Sequence, residues 1–218
     1  MKASRTKYGV FIIESLRAND FFDGENLSQI LELSLIDNIY REVVSKEDLL
    51  DALEEFSKSK LRYLHFSCHA DFEGFEINGE DITNLEISEM LKGKIKGKRV
   101  FLSACKGGNR NFATAAIANN EARSVIGTPV NLHFDKAALF WPAFYHVINI
   151  ADNSRMNKRS LSESLKKCVD LFQIPINYYH KIDGKRKYLR RYKFRTDSAT
   201  TNKKITVANN IYKKNDKK

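Results

Sequence analysis

Apolar residues along this chain fall into two rhythms, and the switches between them mark its elements. In some stretches they form short continuous runs, the signature of strands buried on both faces; in others they recur every third or fourth position and lay a stripe along a helix. The runs predict strands over 8–13, 38–44, 61–70, 98–105 and 123–127. The stripes predict helices over 26–35, where Leu27, Ile30, Leu31 and Leu35 share a face, and over 135–148 and 158–172. Ser45, three residues before Asp48, is a good N-cap for a helix running to about Phe56, with Leu49, Leu50, Leu53 and Phe56 on one stripe. Shorter helices are expected over 87–91 and 111–119. Residues 72–77 with the Asn78-Gly79 turn read as a small hairpin, and 92–98 as a connector rich in Gly and Lys. Strand and helix alternate, so the expected fold class is α/β: a mostly parallel sheet with helices on both faces, in three layers.

Composition narrows this. A chain of 218 residues, 42% of them hydrophobic, can form one cored domain or a domain with an appendage. It holds no run of about 18 apolar residues, so no spanning helix and no membrane partner are expected. Residues 1–7 lack the apolar stretch of a signal peptide. Three cysteines make an odd count without a framework, which favours a reducing, cytoplasmic setting. The net charge of +10 is uneven: residues 184–218 hold 13 Lys or Arg against two Asp, so the remainder is nearly neutral. The chain therefore divides into a domain over 1–183 and a basic C-terminal segment over 184–218, partly strand or disordered. Within it Tyr188, Tyr192 and Phe194 alternate with basic residues over 187–195, a pattern that fits an edge strand or a nucleic-acid contact through phosphate neutralisation. From residue 209 onward the chain is expected to fray.

Two of the apolar runs end in reactive residues. One reads Leu61-Arg62-Tyr63-Leu64-His65-Phe66-Ser67-Cys68-His69-Ala70, the other Lys98-Arg99-Val100-Phe101-Leu102-Ser103-Ala104-Cys105-Lys106-Gly107-Gly108. Parallel sheets bind ligands at the carboxyl ends of their strands, so if these strands are neighbours His69 and Cys105 emerge together. A thiol beside an imidazole is the constellation for nucleophilic catalysis, because the thiolate attacks and a nearby base generates it. Taken singly, His69 reads as a core histidine and Cys105 as a buried apolar thiol. Their pairing reverses that reading, and the Lys106-Gly107-Gly108 loop implies an exposed turn with backbone amides. Cys68 should face the opposite side of its strand, toward the core. His65 lies on the same face as His69 but about 13 Å away, too far for a regular strand to gather both around one ion. No metal and no cofactor are therefore expected, and His133, His146 and Cys168 read as structural.

These motifs resemble the caspase-like cysteine peptidases, most closely the CHAT branch, which is related to separase. That family carries a strand-end motif like His-Phe-Ser-Cys-His-Gly, matched by His65 to His69, and a cysteine motif like Leu-Ser-Ala-Cys, matched by Leu102 to Cys105. The similarity covers about residues 8–150. It implies an intracellular cysteine endopeptidase with a His69–Cys105 dyad, and an oxyanion hole from the backbone amides of Ala70 and Cys105. In the wider clan the residue two before the nucleophile lines the specificity pocket. Here that is the uncharged Ser103, with Asp71, Glu73 and Asp135 as nearby candidates for a pocket carboxylate. The resemblance further implies a protein substrate and a regulatory or sensor partner, since such proteins often act as switched effectors, including in prokaryotic antiviral defence. Ala70 departs from the family's glycine: it keeps the amide but disfavours positive φ. That departure supports a second reading, an inactive interaction module on the same fold. The basic segment supports a third, a nucleic-acid-binding protein.

Overall fold

The computed structural model describes residues 8–182 and 185–196. Five parallel strands form its centre: β1 (Val10–Ser15), β2 (Asn38–Glu42), β3 (Tyr63–Ala70), β6 (Arg99–Ser103) and β7 (Ser124–Gly127), in spatial order β2-β1-β3-β6-β7. The sheet continues antiparallel through β8 (Ile176–Ile182) and β9 (Lys185–Phe194). A hairpin of β4 (Gly74–Ile77) and β5 (Glu80–Thr83) folds back on the end of β3. Its turn, Asn78-Gly79, takes positive φ at both residues, 48° and 90°, the geometry that matches the twist of the flanking strands.

Side-chain alternation along each strand assigns two faces. Phe11, Ile13, Leu64, Phe66, Val100, Leu102 and Val125 pack under α2 (Lys46–Lys58), α3 (Asn84–Met90) and α4 (Arg110–Ala113). Val10, Ile12, Tyr63, Phe101 and Ile126 pack under α1 (Asp23–Leu33), α5 (Phe134–Ala151) and α6 (Lys158–Phe172). The result is the expected three-layer α/β arrangement with helices on both faces. Phe101 is fully buried at the centre of the second face, its ring against those of Tyr63, Trp141, Phe144 and Tyr145. Each such ring pair adds about 0.5–1.5 kcal/mol beyond the area it buries.

Local signals account for most boundaries. Ser45 accepts the Asp48 N–H and caps α2 as expected, and Thr83 with Glu86 forms a capping box on α3. Three departures stand out. The helix expected over 111–119 is a turn of α-helix followed by a π-helical segment, Thr114–Asn119. There Asn120 Nδ2 donates to Ala115 O and Ser88 O, filling the widened turn. Helix α5 runs past the expected limits and carries Pro142 in its interior. Strand β8 was not foreseen, because Asn177-Tyr178-Tyr179-His180 breaks the apolar run that marks the parallel strands. The alternating segment over 187–195 lies in the outer strand β9 as far as Phe194. The fraying expected from residue 209 lies outside the described residues.

Candidate active site

Strands β3 and β6 are hydrogen-bonded neighbours in parallel register, with Ser67 opposite Ser103. Their carboxyl ends therefore deliver His69 and Cys105 to the same edge. Both line one small cavity of about 120 Å³, closed by Ser103, Leu132, His133 and Phe134. The Phe134 ring stands edge-on to the His69 imidazole at 5.8 Å, so the first residue of α5 fixes one face of that ring.

The loop after β6 is held by its backbone. Lys106 takes φ 55° and donates its N–H to Val130 O, turning the chain sharply just past Cys105. Gly108 N donates to Thr128 O, and the two backbones come so close that a Cβ on Gly108 would stand 2.1 Å from Gly127 O. Only a residue without a side chain fits there. Asn109 ties the loop to the end of β3 by donating from Nδ2 to Asp71 O and Lys106 O. Cys105 Sγ accepts the Leu132 N–H at 3.3 Å and donates to Leu132 O at 3.5 Å.

His69 has a partner that the sequence reading did not name. Its Nε2 lies 2.7 Å from Asp20 Oδ2. A carboxylate only accepts, so the ring proton sits on Nε2 and Nδ1 is the basic nitrogen of the neutral imidazole. Asp20 follows β1, the other neighbour of β3, and its Oδ2 also accepts the Arg17 N–H. Burial pushes the Asp20 carboxyl up, but the His69 and Arg17 hydrogen bonds outweigh it and leave the group below its ordinary range. Arg17 in turn grips Glu76 of β4 with two bonds of 2.7 and 2.6 Å, clamping this loop to the strand paired with His69. The missed signal was topological: three adjacent parallel strands end at this edge, and the loop after the first also faces it.

Behind the cavity lies a buried polar chain. Glu14, on β1, accepts the N–H groups of Gly24 and Glu25 at 2.6 and 2.9 Å. It thereby caps α1, whose own N-cap residue, Phe22, provides no side-chain cap. Gly24 leaves room for that carboxylate, which would stand 3.0 Å from a Cβ there. Ser103 Oγ donates to Asp23 Oδ2 at 2.6 Å, while Ser67 Oγ lies 2.9 Å from Glu14 Oε1 and 2.7 Å from Asp23 Oδ1. One hydroxyl proton cannot serve two carboxylates at once, so this arrangement favours a proton on one of them. Burial is the main cause: it pushes Glu14 up to about 7 and Asp23 up to about 6. Asp23 also lines the cavity that holds Cys105.

The other candidates distribute as follows. Ala70, at the end of β3, is not among the residues with positive φ, so alanine fits this backbone without strain. Ser103 lines the cavity, its hydroxyl committed to Asp23. Asp71 faces a second cavity of about 340 Å³, bounded by His69, Glu73, Glu76 and Asp81, and its Oδ1 accepts the Glu73 and Gly74 N–H groups. Asp135 is exposed in the first turn of α5 and lines neither cavity. Cys68 is buried in the first-face core, and burial pushes its thiol far up; Cys168 is pushed up to about 11. His65 is fully buried against Trp141 and Tyr145, which drives it down to about 3 and keeps it neutral.

No protein-family model matches the sequence, and a search of curated proteins gives no match. Among solved structures the chain is similar to a complex of the pro- and mature domains of RgpB from Porphyromonas gingivalis. The TM-score is 0.49 and the identity 10%, over 77% of this chain. The chain spans 44% of the length of that protein. No helix among the described residues is long and apolar enough to cross a membrane.

Proposed function

We propose that this chain is a cysteine endopeptidase of the caspase-like, CHAT-related type, with Cys105 as nucleophile and His69 as general base. The observation that carries this reading is the convergence of His69 and Cys105, from adjacent strands, on one small cavity, with Asp20 fixing the imidazole from behind. His69 Nδ1 takes the thiol proton, and sulfur attacks the scissile carbonyl carbon to form a tetrahedral oxyanion. The backbone amides of Ala70 and Cys105 are assigned to that oxyanion. The oxyanion collapses to a thioester as the C–N bond breaks, and the leaving amine takes the proton from His69. Water, deprotonated by the same imidazole, hydrolyses the thioester and restores the thiol. Asp20 acts as a positioning residue that holds the ring proton on Nε2. Asp71, Glu73 and Asp81 beside His69 favour a basic substrate segment there. A protein substrate and a regulatory partner follow from the family resemblance.

The test is site-resolved alkylation of the three thiols by iodoacetamide, read by mass spectrometry. Cys105 is expected to react first, at a rate reduced at least about tenfold in His69→Ala, while Cys68 and Cys168 stay protected by burial. Equal reactivity of Cys105 with and without His69 would overturn the dyad.

A further inference from the structure

The opposite edge of the sheet carries a second built site. Arg99 opens β6, Arg123 immediately precedes β7, and Lys181 lies near the end of antiparallel β8; all three line a cavity of about 340 Å³. Lys96, Lys158 and His180 also line it, and among the described residues Glu121 is its one carboxylate. Glu121 is already shared between Lys96 at 3.0 Å and Lys181 at 3.5 Å. Among the described residues, five formal positive charges thus face one negative.

Arg99 is the decisive residue. It is 3% exposed, and a guanidinium does not shed its proton at any physiological pH. Its partners are neutral: Nη1 donates to Ser124 Oγ at 2.9 Å and Nη2 to Met156 O at 2.9 Å. Among the described residues no carboxylate lies within ion-pair distance of it. A buried charge without a counter-ion costs several kcal/mol, and chains retain one where something else supplies the opposite charge. Arg99 is among the residues that line the cavity, so an anion held there would lie close to that charge. Tyr178 also borders the cavity, its ring buried and stacked on Tyr192 with centroids 5.8 Å apart. The volume lies at the small end of small-molecule pockets.

We infer that this cavity binds a small phosphorylated anion bearing at least two phosphate groups, either free or as part of a nucleotide. The site is separate from the cysteine chemistry: Arg99 opens β6 and Cys105 follows its far end, and the strand alone spans about 13 Å at 3.3 Å per residue. It does not depend on the peptidase reading, and its readout does not involve Cys105.

The experiment titrates the full chain with inorganic pyrophosphate, with ATP and with inorganic phosphate at matched ionic strength, by calorimetry and by thermal melting. The expected result is saturable binding of one pyrophosphate per chain with a rise in melting temperature, weakened by added salt. Tighter binding of ATP assigns a nucleoside polyphosphate, and equal binding assigns a free one. The exposed substitution Arg123→Gln, combined with Lys181→Gln, should weaken binding at least about tenfold without disturbing the fold. A Lys92→Gln control, on the connector before β6, should leave it unchanged. Absence of saturable binding at millimolar pyrophosphate would overturn the inference. So would full retention of binding in the Arg123→Gln, Lys181→Gln variant, which would assign the anion to the basic C-terminal segment instead.

Discussion

Asp20 Oδ2 and His69 Nε2 meet at 2.7 Å, and that contact joins the loop after β1 to the end of the neighbouring strand β3. It decides which nitrogen of the imidazole is basic. Asp20→Asn can reverse the polarity of this bond and place the ring proton on the wrong nitrogen. The expected outcome is a loss of about 10²–10⁴ in turnover and in Cys105 alkylation, with the melting temperature little changed. A merely structural Asp20 would move the melting curve and leave the pH profile of alkylation intact.

The Glu14–Asp23 pair makes stability depend on pH in an unusual direction. Most carboxylates are depressed by folding and stabilise the fold at neutral pH. These two are raised, from 4.5 to about 7 and from 3.8 to about 6. The native state therefore binds a proton that the unfolded chain releases. Their contribution is fully present below the unfolded values and is lost as pH rises through about 6 to 7. Denaturant melts at pH 5 and pH 8 should show this contribution decline by about 1.4 kcal/mol per pH unit for each proton held only by the native state. Glu14→Gln should flatten that part of the slope; an unchanged slope would mean the pair holds no proton.

The close approach of Gly108 to Gly127 sets the position of the loop that carries Cys105. Gly108→Ala would place a methyl group 2.1 Å from a carbonyl oxygen, so the backbone must part. The expected cost is about 1–3 kcal/mol, together with slower Cys105 alkylation. The two changes should appear together, measured by chemical denaturation and by mass spectrometry.

Much of this architecture is legible in the chain because continuous apolar runs have few solutions other than buried parallel strands. The ends of β3 and β6 could be read as candidate sites because Cys105 is followed by turn residues and His69 lies one residue before the end of an eight-residue strand. Asp20 was not legible: its role depends on β1 lying beside β3, a long-range pairing that no local pattern encodes. The same holds for the raised carboxyls of Glu14 and Asp23, which arise only when β1 and α1 bury both around Ser67. Strand β8 escaped because its polar and aromatic residues mask its alternation. The charge of residues 184–218 could be counted, but not what it does.

The cleft beside His69 sets an expectation for substrate choice. Glu73 and Asp81 line it without an ion-pair partner among the described residues, while Glu76 is held by Arg17. Peptides with Lys or Arg near the scissile bond should be cleaved faster than their Asp or Glu counterparts, by about tenfold for one well-placed ion pair. Glu73→Gln with Asp81→Asn should erase the difference, measured with matched fluorogenic peptides.

The central claim is that Cys105 attacks peptide bonds with His69 as its base. The most direct measurement exposes a proteome-derived peptide library to the wild-type chain and to its Cys105→Ala, His69→Ala and Cys68→Ala variants, and counts new N-termini by mass spectrometry. The account predicts new termini with wild type and with Cys68→Ala, and none above background with Cys105→Ala or His69→Ala. Cleavage by folded Cys105→Ala at the wild-type rate, or loss of cleavage in Cys68→Ala alone, would contradict it.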